Sequence, residues 1–174
     1  MKNILIVVDI QNDFVDGALG SKEAIAIIDR ACEKIRAFKG DIFVTMDTHG
    51  EDYMNTQEGK NLPVPHCIKG TEGWKLNAKI EKALEEKNAV VIEKNTFGSQ
   101  RLAELISKKY KDEALSVELI GICTDICVIS NALTIRAHNP ECEITVDSSC
   151  CAGVSPELHS AALTVMKSCL INVI

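Results

Sequence analysis

The sequence predicts a three-layer α/β/α sandwich around a mostly parallel sheet of about six strands. Short runs rich in Ile, Val and Leu alternate along the chain with amphipathic segments, and most of these runs read apolar on both faces. Strands buried on both sides and joined by helical crossovers are the signature of a parallel sheet covered by helices on each face. At 174 residues with 46% hydrophobic side chains, the chain is large enough to bury one core, so a single domain over residues 1–174 is expected, without a linker.

The elements follow in order. Strands are expected near Asn3 to Val8, Asp41 to Met46, Ala89 to Ile92, Ser116 to Ile120, Glu143 to Val146 and Leu170 to Val173. Ser21 opens the first long helix, with Ile25, Ile28, Cys32 and Ile35 on one face. A second helix carries Leu76, Ile80 and Leu84, and a third carries Leu102, Leu105 and Ile106. Thr124 is read as the N-cap of a fourth, whose inner face is Ile126, Ile129, Leu133 and Ala137. Ser155 followed by Pro156 starts the last, an N-cap with proline at the first helical position, and Leu158, Ala162, Val165 and Cys169 are expected inside. The stretch from Thr48 to Trp74 holds four glycines and two prolines and shows no sustained period, so it reads as a long loop covering the functional crevice.

Composition excludes several function classes. A net charge of -6, with the Lys and Arg residues scattered, argues against nucleic acid or an anionic membrane as partner. The longest apolar runs are too short to span a bilayer. Met1-Lys2-Asn3-Ile4 leads straight into a strand without a signal-peptide pattern, so a cytoplasmic protein with eight free thiols is expected, not a disulfide framework. The adjacent Cys150-Cys151 is read as a turn at a strand end, and His138 and His159 as surface or core residues.

In an open parallel sheet, ligands bind beyond the carboxyl ends of the strands. The residues found there are Asp9, Asp47, Lys94, the run Gly121 to Cys127, and Asp147. Cys127 falls in the first turn of a helix, where free backbone N–H groups and the helix dipole favour a thiolate. Taken singly, Cys127 reads equally as a small buried residue, and each strand-end polar residue as a cap. Together they supply a nucleophile, a base in Asp9 and a charge-balancing cation in Lys94. A second group, Asp47, His49, Glu58 and His66, offers two imidazoles and two carboxylates, a donor set for zinc, manganese or iron. On spacing alone His66 could equally bond a turn carbonyl and Glu58 could be a solvated loop residue.

Three segments carry a family resemblance. Val8-Asp9-Ile10-Gln11-Asn12-Asp13-Phe14, Glu93-Lys94-Asn95-Thr96-Phe97 and Gly121-Ile122-Cys123-Thr124-Asp125-Ile126-Cys127 resemble, in order, the signatures of the isochorismatase-like cysteine hydrolases. Asp47-Thr48-His49 with Pro65-His66-Cys67-Ile68-Lys69-Gly70-Thr71 is similar to the metal-binding stretch of the nicotinamidases within that superfamily. The resemblance implies a catalytic triad of Asp9, Lys94 and Cys127. It implies an oxyanion hole from the backbone N–H groups of Cys123 and Cys127, with a cis peptide between Ile122 and Cys123. One divalent ion, zinc in the first instance, is implied at Asp47, His49, His66 and, because no histidine lies between His49 and His66, Glu58. Phe14 and Phe97 match aromatic pocket positions. Where the family often has an aromatic residue this chain has Pro63, and Leu62 or Trp74 is expected to fill that wall.

The expected activity is hydrolysis of nicotinamide to nicotinic acid and ammonia through a thioester, in a homo-oligomer, dimer or tetramer. The runner-up is a related hydrolase of another amide or carbamoyl compound. A reading of a different class takes Asp9, Asp47 and Lys94 as the acidic pocket of a receiver-like, divalent-cation-binding signalling module, in which Cys127 and His66 have no part.

Overall fold

A computed structural model describes all residues from Met1 to Ile174. Six parallel strands lie in the order β3-β2-β1-β4-β5-β6: β1 Lys2–Val8, β2 Asp41–Asp47, β3 Val90–Lys94, β4 Leu115–Ile122, β5 Glu143–Ala152 and β6 Asn172–Val173. The order runs outward from β1 in one direction and, after β3, restarts beside β1 with β4. That reversal opens a crevice beyond the carboxyl ends of β1 and β4, the switch point of a doubly wound sheet.

Alternation along the strands divides the core into two layers. Ile4, Ile6 and Val8 of β1 pack with Leu119 of β4 and with the helices α5 Gln100–Lys109, α6 Ile129–His138 and α7 Pro156–Ser168. Leu5 and Val7 face the opposite side, against α1 Asn12–Val15, α2 Lys22–Ala37 and α4 Ala78–Leu84. Ser21, Ser99 and Ser155 cap α2, α5 and α7, each accepting a backbone N–H three residues on, at 3.0, 3.1 and 3.2 Å.

Several expectations are corrected. The segment 48–74 contains a 3₁₀ turn at Tyr53–Asn55 and the short helix α3 Gln57–Asn61, both too short to register as a period. Strand β5 continues past Val146 through Cys150-Cys151, which are buried strand residues and not a turn. Asp147 therefore lies within β5, 2.8 Å from Lys34 of α2, and takes no part in the crevice. Ile25, Leu105, Leu158 and Val165 are exposed, and Ile27, Ala31 and Met166 fill the inner positions of α2 and α7.

The helix after β4 differs most. Thr124–Val128 is a π turn with Cys123 at its N-cap position and no side-chain cap. Thr124 is not the cap, because its hydroxyl is hydrogen-bonded with His159 Nδ1 at 2.8 Å. A π turn inserts an extra residue into the helical repeat and rotates everything after it. The buried face is consequently Val128, Asn131, Ala132 and Ile135, while Leu133 and Ala137 point outward.

Candidate active site

The site is built from the ends of four strands. Asp9 follows β1 with φ 48°, a left-handed conformation uncommon outside glycine. Its N–H still reaches Thr45 C=O of β2 at 3.1 Å, after which the chain leaves the sheet and the carboxyl turns into the crevice. There Thr45 Oγ1 donates to Oδ1 at 2.7 Å, and Lys94 Nζ lies 2.6 Å from Oδ2. Lys94 ends β3, opposite Asp47 in the ladder. Its ammonium also lies 3.5 Å from Cys127 Sγ and 3.4 Å from Asp47 Oδ1. Asp9, Lys94 and Cys127 are all buried.

Burial is the main influence on each of these groups. It pushes the Asp9 carboxyl above its ordinary value, helped by the Asp47 charge and opposed by Lys94. Burial pulls against the Lys94 charge, but Asp9, Cys127 and Asp47 together raise it further than burial lowers it. Burial also drives the Cys127 thiol well above the ordinary value, reinforced by the Asp9 charge and only partly offset by Lys94. This burial opposes the thiolate that a helix N-terminus favours. The Asp9 carboxyl, 2.6 Å from the Lys94 ammonium that also reaches Cys127 Sγ, is placed to exchange a proton with the thiol.

The turn carrying Cys127 is held from behind. Asn131, fully buried on α6, donates to Cys127 C=O at 2.8 Å and to Phe97 C=O at 3.2 Å, and accepts Ser99 N–H at 3.0 Å. The Ile122–Cys123 peptide is cis. The Cys123 carbonyl accepts Ile126 and Val128 N–H, while the Cys123 N–H has no backbone acceptor.

Beside Lys94, the covering segment brings His49, Glu58 and His66 to Asp47. One ligand atom from each of the four lies within 4.8 Å of every other. His49 Nε2 is 3.0 Å and His66 Nε2 3.5 Å from Asp47 Oδ2; Glu58 oxygens lie 3.8 Å from His49 Nε2 and 3.5 Å from His66 Nε2. Donors about 2.0 to 2.2 Å from one tetrahedral ion stand roughly 3.4 Å apart, so the spacing fits a shared cation. His66 Nδ1–H donates to Val64 C=O at 2.8 Å, which leaves Nε2 for the ion. Burial opposes a charge on His66, yet hydrogen bonds with Asp47 and Glu58 hold it up to about 10. Against the same opposition, His49, His66 and Lys94 keep Asp47 well below the carboxylate range. A charge favoured on His66 between the Asp47 and Glu58 carboxyls shows that the cluster favours positive charge at its centre.

Of the expected wall residues, Phe14 is buried with its ring 5.4 Å from that of His66. Trp74 is half-buried, its Nε1–H donating to Thr48 Oγ1 at 2.9 Å. Leu62 and Phe97 are exposed at 37% and 47%. A groove of about 750 Å³ between the residues after β3 and α6 includes Lys94 but none of Asp9, Cys127 or the four ligand candidates, so the chemistry is not placed there.

Tyr53 was not foreseen. Fully buried, it sets its ring edge-on to His49 and His66 at 4.8 and 5.0 Å and donates its hydroxyl to Leu62 C=O at 2.9 Å. Gln11 and Thr45 were likewise not assigned a role; Gln11 lay inside the first signature, but the signature alone does not say what a side chain bonds.

A thiol, a buried carboxylate and a lysine converging on the switch-point crevice of a parallel sheet define the class, a hydrolase built around a cysteine. The chain belongs to the isochorismatase family, whose domain model matches residues 3–174. An isochorismatase-family protein of Bacillus subtilis (strain 168) is 33% identical, the match covering 94% of this chain and 93% of that one. The crystal structure of a nicotinamidase/pyrazinamidase from Bacillus subtilis superposes with a TM-score of 0.84 at 31% identity, covering 99% of both chains. That of a pyrazinamidase of Pyrococcus horikoshii in complex with zinc gives 0.84 at 29% identity, covering 100% of this chain and 99% of that one.

Proposed function

We propose that this protein is a metal-assisted cysteine amidohydrolase acting on nicotinamide. The observation that carries the reading is the continuous contact from Cys127 through Lys94 to Asp9 and Asp47, which joins a nucleophile and base to the four-residue cation site. The nicotinamidase/pyrazinamidase named above, with its matching fold, supports it.

In this mechanism Asp9 accepts the Cys127 thiol proton as sulfur attacks the carboxamide carbon. Backbone N–H groups of Cys123 and Cys127 receive the developing oxyanion. Asp9 then returns the proton to the departing nitrogen, ammonia leaves and a thioester remains. Asp9 next takes a proton from water, which attacks the thioester, releases the acid and restores the thiol. Lys94 stays protonated throughout and balances whichever of Asp9 and Cys127 is negative. Asp47, His49, Glu58 and His66 would hold the ion, for which zinc is proposed after the Pyrococcus horikoshii complex. The ion would supply Lewis-acid anchoring of the ring nitrogen, and Phe14, Leu62, Trp74 and Phe97 would line the ring's pocket.

The test is ammonia release from nicotinamide by the purified protein. Release by the wild type and none by Cys127→Ala is expected; no release by the wild type overturns the reading. Pro63 in the wall keeps the second hydrolase reading, another amide or carbamoyl substrate, and a panel of such compounds separates the two by kcat/KM. The signalling-module reading gives Cys127 and His66 no part and is not favoured. No helix is long and apolar enough to cross a membrane, and a cytoplasmic location is proposed from the sequence. The proposed dimer or tetramer is checked by light scattering.

A further inference from the structure

We infer that Gln11 is a positioning residue that sets the cation site against the catalytic ion pair, by standing in for a strand neighbour that the sheet lacks at Asp47. The inference rests on the proposed cation site.

The β1–β2 ladder ends at Val8 opposite Thr45. Past that point Asp9 turns into its left-handed conformation and β1 leaves the sheet, whereas β2 continues through Met46 to Asp47. On its other side Asp47 still faces Lys94 of β3. On the β1 side, both its peptide groups would be buried without partners, which is costly. Gln11 fills the gap. Its side chain is fully buried; Oε1 accepts Asp47 N–H at 2.7 Å and Nε2 donates to Asp47 C=O at 2.9 Å. The second Nε2 hydrogen goes to Trp74 C=O at 2.7 Å. A primary amide is the one side chain that offers an acceptor and two donors in this arrangement.

The position matters because of what the grip connects. The Gln11 N–H donates to Asp9 C=O at 2.8 Å, so the clamp starts on the proposed base. It ends on Asp47, whose Oδ1 faces Lys94 and whose Oδ2 faces His49 and His66. Through Trp74 it also fixes the far end of the covering segment. One residue thereby holds three pieces of chain in register, the base through its backbone N–H and, through its side-chain amide, the residue shared by cation site and triad and a proposed pocket wall.

The test uses the metal-free full-length protein titrated with Zn²⁺ against a competing chelator, and with Co²⁺ followed by its visible absorption. Gln11→Met keeps the volume and removes all three bonds. Gln11→Glu, ionised or protonated, has at most one donor for two carbonyls. For both variants a Zn²⁺ Kd raised about tenfold or more is expected, in the range for residues that orient metal ligands. An altered Co²⁺ spectrum and a lowered kcat are expected with it. A folded variant with the wild-type Kd and Co²⁺ spectrum overturns the role; should Gln11→Met fail to fold, Gln11→Glu decides. Failure of the wild type itself to bind either ion overturns the cation site and this inference together, whereas equal binding by wild type and variants overturns Gln11 alone.

Discussion

Asp9, Lys94 and Cys127 carry opposite demands on charge, and their burial makes those demands strict. Burial and the Asp9 charge both push the Cys127 thiol upward, which favours attack with the proton passing to Asp9 over a resting thiolate. Asp9→Asn keeps the shape and the Thr45 contact but cannot take a proton. We expect its kcat/KM to fall by at least about a thousandfold, with Cys127→Ala inactive, as measured by ammonia release under saturating metal; a loss below tenfold for Asp9→Asn would place the base elsewhere. Legibility at this scale depended on chemistry. Cys127, His49 and His66 could be found in the sequence because strand-end convergence and the family resemblance singled them out, although each taken alone also had an ordinary reading. Tyr53, Gln11 and Asn131 could not. Their roles come from which carbonyl or ring they reach across the fold, and a tyrosine or amide has too many ordinary uses to stand out. The helix-end field that favours a thiolate at Cys127 is local and visible in sequence, whereas the burial that opposes it comes from the whole crevice.

At the scale of elements, strands were legible and helix phases less so. The apolar runs of β1, β2 and β4 are buried on both faces, so composition alone located them. The phase of α6 failed because a π turn leaves no mark on hydrophobic spacing except the rotation it causes. The same β4-to-turn junction contains a glycine that nothing larger can replace without strain. Gly121 has φ 131°, and a Cβ there would lie 2.1 Å from Val8 C=O across the β1–β4 ladder. Neither backbone can yield without disturbing Asp9 on one side or Cys123 on the other. Gly121→Ala is therefore expected to cost about 2 kcal/mol or more by urea unfolding, and to lower kcat in whatever fraction remains folded. At the opposite end of the sheet, Asp41 at the start of β2 receives Lys2 and Lys109, each at 3.1 Å, and the Tyr110 hydroxyl. The Tyr110 hydrogen bond, with the lysines and against partial burial, holds its carboxyl down to about 2. An unfolded aspartate titrates near 3.9, so the folded state binds this proton less readily. The stabilisation is complete above about pH 4 and is lost as pH falls toward 2. Asp41→Asn should lower the urea midpoint at pH 6 and flatten its decline between pH 4 and 2; an unchanged acid slope would show that the cluster contributes nothing.

For the whole molecule, the central question is what keeps residues 48–74 over the crevice. That segment has a 3₁₀ turn and one five-residue helix, and its backbone is tied to the rest of the chain at its two ends: Thr48 N–H on Lys94 C=O at 2.8 Å, Cys67 N–H on Asp13 Oδ2 at 2.7 Å, Asp13 N–H on Gly73 C=O at 2.9 Å, Asn12 Nδ2 on Glu72 C=O at 2.8 Å, and Gln11 on Trp74. Three of the four candidate ligands sit in it and the fourth ends β2, so an ion held there would tie the cover to the sheet. Ligand that binds only the folded state stabilises by mass action, about 2.7 kcal/mol at a free concentration one hundred times Kd. For a chain of this length that is roughly 5–10 °C in Tm. Stripping the metal is expected to lower Tm by that amount and to abolish ammonia release, both recovering when Zn²⁺ is restored. Hydrogen exchange locates the effect: amides of residues 53–66 should lose protection on stripping, while those of β1 and β4, buried in the sheet on both faces, should not change. Equal loss across the sheet would mean that the ion supports the fold as a whole, and no loss anywhere would mean that the covering segment is held by its own anchors and the four ligands serve only the substrate.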